Sequence, residues 1–228
     1  MQIKKLANVE KRAETTEKTI FNNFKGWKKE LWQHRNLIVL SVSFYIIALI
    51  LNFTAGRYVE KKASTTPVTD LILDHIPTIN LEGLFTYGIT IIIVLIFIYP
   101  LFFKIKELHI VISQFSLLIL VRSFFVVLTH LQQPIDAIIT NLPKIFDWFT
   151  FNNDLFFSGH TAVPFLGFLL FRKEKGWIKY FFFIATFVMA TTVLFMHVHY
   201  SIDVFAAIFI TYGSYRLGKK IFQMVNHY

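Results

Sequence analysis

Long apolar runs separated by short polar connectors dominate this chain. Six of them, at residues 36–54, 84–103, 108–131, 158–172, 176–196 and 199–217, carry few charges and predict membrane-spanning helices. A helix rises about 1.5 Å per residue, so roughly 20 apolar residues cross a bilayer core. The fourth run is the shortest and needs either a bundle interior or a thinned bilayer around it. Residues 56–83 and 132–157 form the two longer connectors. In the polar leader, Ile20, Phe24, Trp27 and Leu31 recur at helical spacing opposite Lys18, Lys25, Lys28 and Lys29. That pattern fits an amphipathic helix on the membrane surface, and equally a partly disordered basic leader. The expected organisation is a leader over 1–35, a six-helix transmembrane catalytic domain over 36–217 and a short tail over 218–228. The fold class is all-α and polytopic.

Composition agrees with the pattern. Of 228 residues, 55% are hydrophobic and only 16% charged, which excludes an ordinary soluble domain. The chain has no cysteine, so disulfides, thiolate catalysis and cysteine-ligated metals are excluded. The net charge of +9 lies between the apolar runs and at the ends, which points to membrane topology and away from nucleic acid. With both termini cytoplasmic, eighteen Lys and Arg fall inside and four outside, and Arg122 lies within the third run. This asymmetry sets the orientation. It puts the outer ends of helices three, four and six on the non-cytoplasmic side. The first apolar run follows a long charged leader without a small-residue cleavage site, so it is expected to stay as the first helix. The short leader and compact loops favour a bacterial inner membrane over a eukaryotic secretory membrane.

Candidate chemistry gathers at those outer ends. Ser158-Gly159-His160-Thr161 opens the fourth run. Free backbone N–H groups at a helix start, a glycine that allows close approach, a hydroxyl and an imidazole together suit a phosphate oxygen and a leaving alkoxide. Alone, the serine could equally be a helix cap. His199 and Asp203 are four residues apart, so a helix would stack them within hydrogen-bond reach. A carboxylate there holds an imidazole in one tautomer and stabilises its cation; a structural tie between helices is the plainer alternative. Arg122, a permanent charge in an apolar helix, needs an interior partner: a phosphate, or a carboxylate such as Asp203 or Asp154. His197 points elsewhere on a helix and reads as an interfacial or supporting group. His-x-His suits a strand better than a helix and no carboxylate cluster completes it, so a metal site is disfavoured. No cofactor is expected. His34, His75, His109, His130 and His227 lack partners at telling spacings and read as interfacial.

These motifs resemble the phosphatidic acid phosphatase type 2 superfamily, and within it the sphingomyelin synthase branch. Ser158-Gly159-His160 is similar to the superfamily's second motif, and His199 with Asp203 to the pair of its third. Asn152-Asn153-Asp154-Leu155-Phe156-Phe157-Ser158-Gly159-His160-Thr161 aligns with the branch's Cys-Gly-Asp-Tyr-Leu-Tyr-Ser-Gly-His-Thr. His197-Val198-His199-Tyr200-Ser201-Ile202-Asp203-Val204 aligns with its His-x-His-Tyr-Thr-x-Asp-Val, and the segment from Asp70 to Pro77 with its first outer loop. The arginine that the phosphatases carry six residues before the nucleophilic histidine is Val193 here, and their Lys-x6-Arg-Pro motif is absent. Asn152, Asn153, Leu155 and Phe157 depart from the branch, which bears on head-group choice more than on the reaction.

The resemblance implies a six-helix bundle and a metal-free reaction through a phosphohistidine. A phospholipid donor would pass its head-group phosphate, phosphocholine or phosphoethanolamine, to ceramide, diacylglycerol or a similar lipid alcohol. The expected catalytic residues are His160, His199 and Asp203, with Arg122, Ser158 and Gly159 binding phosphate. Asp154, His197 and Tyr200 would touch substrate or support the reacting pair. Two alternatives stay open: a lipid phosphate phosphatase or phospholipase C-like hydrolase using the same site, and a non-catalytic lipid-binding membrane protein. Partners are the bilayer and its lipids, with no nucleic acid; an oligomer is compatible with the sequence.

Overall fold

The computed structural model describes residues 25–62, 66–138 and 155–225. Expectations that fall on other residues, among them Asp154, most of the second connector and the start of the leader, lie outside the described residues. The described chain folds into helices α1 (Arg35–Lys62), α2 (Ile89–Phe103), α3 (Leu108–Leu128), α4 (Gly159–Phe171), α5 (Ile178–Phe195) and α6 (Ser201–Val225), with no strand among the described residues. Helices satisfy every interior backbone donor and acceptor within one segment, which hydrocarbon surroundings demand.

Four stretches are long and apolar enough to cross a membrane: Arg35–Lys62, Leu84–Phe103, Ile105–Leu128 and Ile178–Phe195. The other two expected crossings differ. Helix α4 has only 13 residues. It packs against α2, α3, α5 and α6, so lipid contact asks little of its length. Helix α6 is 25 residues long but carries Asp203, Tyr212, Ser214 and Arg216 along it. Gly159 and His160 open α4 and Asp203 lies in the first turn of α6, so both helices carry polar residues of the candidate chemistry at their starts.

Helices α1 and α3 run side by side in the same direction. Ser41 Oγ meets Ser113 Oγ at 2.9 Å, the Tyr45 and Phe115 rings lie 5.9 Å apart, and Asn52 Oδ1 meets Arg122 at 3.2 Å. Small hydroxyls buried between helices let the backbones approach and supply interhelical hydrogen bonds. Helix α1 extends eight residues beyond the expected end at 54. Its last turns bury Gly56 and Val59 on one side and pair Arg57 with Glu60 at 3.6 Å on the other, so the helix persists on a polar surface.

Residues 25–33 are helical and continue into α1 with a single turn residue at His34. His34 N donates to Glu30 O and Ile38 N to His34 O, at 3.1 and 3.0 Å, so the helical path is unbroken. Trp27 donates its Nε1–H to the Leu101 carbonyl at 2.7 Å, and Leu31 packs with Ile105, Leu108 and Ile112. The apolar stripe of this part of the leader therefore covers protein, while Lys25, Lys28 and Lys29 stay exposed. His109 departs from its interfacial reading: it is buried, with its ring stacked 6.1 Å from that of His34.

Aromatic side chains fill the centre. Phe157, Phe171 and Phe182 belong to one buried cluster, and the Phe171 and Phe182 rings stack at 5.4 Å. Gly167 on α4 makes room for this: a Cβ there would run into the Phe182 ring of α5. Gly167→Ala is therefore expected to cost about 1–3 kcal/mol through overpacking. Thermal unfolding in detergent should show a lower Tm, with part of the loss recovered by adding Phe182→Leu.

Candidate active site

The two motifs meet at one end of the bundle. The Ser158 backbone N–H donates to the Asp203 carbonyl at 3.3 Å, joining the start of α4 to the first turn of α6. Asp203 is wholly buried, and its Oδ2 accepts from His199 Nδ1 at 3.1 Å and from the Tyr200 backbone N–H at 3.0 Å. This corrects the expectation of a stacked helical pair. His199 lies in the turn before α6, and the Asp203 carboxylate reaches back over the helix start, as the distal half of a capping box does. An acceptor that already receives an amide proton fixes Nδ1 of His199 as the donor, which leaves the lone pair on Nε2. The His199 side chain keeps 9% of its surface.

Ser158 is the residue before α4, yet its hydroxyl makes no capping bond. Its carbonyl instead accepts from Thr161 and Ala162, at 3.2 and 2.9 Å. Ser158 is fully buried and its Oγ has no protein partner; the same holds for His160 Nε2. Leaving a polar atom buried and unpaired costs about 1–3 kcal/mol, and both of these atoms lie where the two motifs meet. The capping alternative for Ser158 therefore fails. His160 sits in the first turn of α4, within electrostatic range of both His199 and Arg122.

Arg122 comes in from α3. Its Nε donates to the Phe157 carbonyl at 3.2 Å, immediately before Ser158, and its Nη1 to Asn52 Oδ1 at 3.2 Å. An added Cβ at Gly159 would make ordinary contact with Arg122 Nε at 3.6 Å, which puts the guanidinium edge beside the start of α4. His160, His199, Asp203, Arg122, Ser158 and Gly159 thus share one neighbourhood. The arrangement can offer a nucleophilic imidazole nitrogen, a second imidazole for proton transfer and a cation for anionic oxygens.

A family model described as PAP2 superfamily C-terminal matches residues 152–220. The match supports membership of the PAP2 superfamily. It spans both motifs, from just before Ser158 to well beyond Asp203, and suggests an activity of phosphatase or phosphotransferase type on lipid phosphates. No curated protein and no solved structure matches the chain.

The remaining sequence candidates flank the His199–Asp203 pair. His197 is buried with a left-handed φ of 53°, its Nδ1 is 3.4 Å from Thr78 Oγ1, and its Nε2 is buried without a protein partner. A non-glycine residue held there stores about 1–3 kcal/mol of strain, as residues near functional sites often do. Tyr200 is a staple. Its hydroxyl donates to the Gln132 carbonyl at 2.9 Å and accepts from the Val68 N–H at 3.2 Å, which ties both connectors to the reacting turn.

Two contributors, Phe85 and Asn52, carried no usable sequence signal, and a third carried little. Phe85, one of 27 phenylalanines, stacks on His160 with ring centroids 3.7 Å apart. It belongs to a π-helical turn, Leu84–Gly88, that precedes α2. Such turns appear frequently at functional sites because they re-aim one side chain without breaking the helix. Asn52 touches the site through Arg122. Asp70, marked in the sequence only by the resemblance of its segment to an outer loop, fastens the first residue of α6: Oδ2 accepts from the Ser201 N–H at 2.7 Å, while Oδ1 accepts from Ile72 and Leu73 at 2.9 and 3.1 Å.

Burial pushes the Asp70 carboxyl up, and hydrogen bonds from the Leu73, Ser201 and Ile72 amides outweigh it, so the group titrates below the ordinary carboxylate range. Its stabilisation is complete above an unfolded pKa of about 3.9 and is lost as pH falls towards the lower folded value. Asp70→Asn should lower Tm in detergent at pH 6, and the gap from wild type should narrow as pH drops below about 4. A gap constant across that range would remove Asp70 as a charged anchor.

Proposed function

We propose that the protein is a membrane lipid phosphotransferase of the sphingomyelin synthase type. It moves a head-group phosphate, phosphocholine or phosphoethanolamine, from a phospholipid donor to a lipid alcohol such as ceramide, on the non-cytoplasmic side of the membrane. The observation that carries this reading is the junction of the two motifs: the Ser158 N–H on the Asp203 carbonyl, with His199 Nδ1 on the same buried aspartate. It brings a tautomer-fixed histidine beside a second histidine and an unpaired serine hydroxyl, as in-line transfer at phosphorus requires.

In the first step His199 Nε2 attacks phosphorus, and the bond from phosphorus to the diacylglycerol oxygen breaks. His160 gives its proton to that oxygen. In the second step the acceptor hydroxyl attacks phosphorus, the phosphorus–nitrogen bond breaks and the hydroxyl proton passes to His160. Asp203 stabilises the His199 cation that forms on attack. Arg122, Ser158 Oγ and the amides at the start of α4 bind the equatorial oxygens, whose charge peaks in the transition state. Burial of Asp203 and Ser158 supports the transfer reading over hydrolysis, because a water-poor site favours a lipid hydroxyl as the second nucleophile.

The test uses purified protein in mixed micelles with fluorescent ceramide and either phosphatidylcholine or phosphatidylethanolamine, with products resolved by mass spectrometry. A ceramide product carrying the donor's head group is expected, together with an acid-labile phosphate adduct on His199 in alkaline-quenched enzyme. His199→Ala and Asp203→Asn should abolish the adduct. His160→Ala should slow product formation by about 10²- to 10⁴-fold. Diacylglycerol release without a ceramide product would assign the same site to hydrolysis. Full transfer by His199→Ala would sink the mechanism.

A further inference from the structure

We propose that Asn52 of α1 is the positioning residue for Arg122, fixing how the guanidinium plane meets a phosphate. The proposal rests on the phosphate-binding role given to Arg122 above. Asn52 is a lone amide on a strongly apolar stretch whose neighbours Ile50 and Leu51 are exposed on the lipid-facing surface. An amide at that depth needs a partner. Asn52 Oδ1 faces Arg122 Nη1 at 3.2 Å and Ser123 Oγ at 3.3 Å. Both neighbours are donors, which sets the amide with its oxygen towards α3. The single Ser123 proton has a nearer acceptor in the Ile119 carbonyl at 2.8 Å, so Asn52 serves Arg122 first.

A guanidinium is a rigid plane with donors at fixed angles. Anchored at Nη1 by Asn52 and at Nε by the Phe157 carbonyl, it has one orientation, tied at one end to the residue before Ser158. Both anchors are neutral. They orient the guanidinium by hydrogen bonding alone, whereas a carboxylate at position 52 would compete with the phosphate. The Asn52 side chain carries a hydrogen bond from α1 to a site residue. Helix α1 is held to α3 elsewhere by Ser41 and Ser113 at 2.9 Å, which separates a gluing role from an orienting one.

Orthovanadate binding to the full-length protein in detergent, read by thermal shift, is measured for wild type, Asn52→Leu, Asn52→Asp and Ser41→Ala. Donor turnover is followed in parallel. Losing a hydrogen bond to a charged group should raise the half-saturating vanadate concentration about tenfold in Asn52→Leu. The near-isosteric Asn52→Asp should raise it further. Ser41→Ala should lower Tm without moving vanadate affinity. In turnover, Asn52→Leu should lose more in kcat than in KM, since the anchored plane matters most to the charge of the transition state. Asn52→Leu and Asn52→Asp that bind vanadate as wild type does would overturn the proposal alone. A wild type that binds no vanadate and cleaves no donor would remove the phosphate reading and this inference with it.

Discussion

A carboxylate with no exposed surface, inside a bundle rich in phenylalanine, isoleucine and leucine, is the constraint around which this end of the molecule is organised. An unpaired charge there would cost several kcal/mol, so Asp203 must be met by donors. It is met by the His199 imidazole and the Tyr200 amide on one oxygen, at the positive end of α6. Its own carbonyl receives the Ser158 amide. One residue therefore sets the tautomer of a histidine, closes the first turn of a helix and joins two segments that lie 45 positions apart in sequence.

The turn from Phe195 to Ser201 is held from every side to serve that arrangement. Ile79 N donates to the Phe195 carbonyl at 2.7 Å and Ile138 N to the Met196 carbonyl at 3.0 Å. Tyr200 OH and the Asp70 carboxylate fasten the connectors above it. Each bond contributes only about 0.5–1.5 kcal/mol net, but together they leave the turn little freedom. The opposite end is built differently. There Lys104 pairs with Glu174 at 3.1 Å and Lys106 with Glu30 at 3.4 Å, on partly exposed surfaces where such pairs contribute about 0–1 kcal/mol. Buried hydrogen bonds at one end and surface ion pairs at the other imply a rigid site end and a more yielding far end.

The site also shows how a membrane bundle handles polarity. Ser158, His160, His197 and Asp203 each keep a buried atom without a protein partner at the site end, as Gln114, Thr211 and Ser214 do elsewhere in the bundle. Strain at His197 and the π-helical turn beneath Phe85 fall in the same region.

The sequence by itself determined the class of the molecule, because helix-length apolar runs leave the backbone no other way to satisfy its hydrogen bonds in lipid. It also marked Ser158, His160, His199, Asp203 and Arg122, since polar residues in such runs are too costly to be incidental. Spacing misread the way His199 and Asp203 pair. The four-residue interval suits a helical face, but a capping carboxylate at a helix start spans the same interval, and only the position of the α6 terminus distinguishes the two. Spacing was also silent on Asn52, Asp70 and Phe85. Their roles come from contacts with residues 70, 131 and 75 positions away, which no local pattern encodes. The identities of the candidate groups were legible because chemistry resides in side chains. Their orientation was decided by tertiary structure, because a rigid imidazole or guanidinium plane takes its direction from whatever distant group it touches.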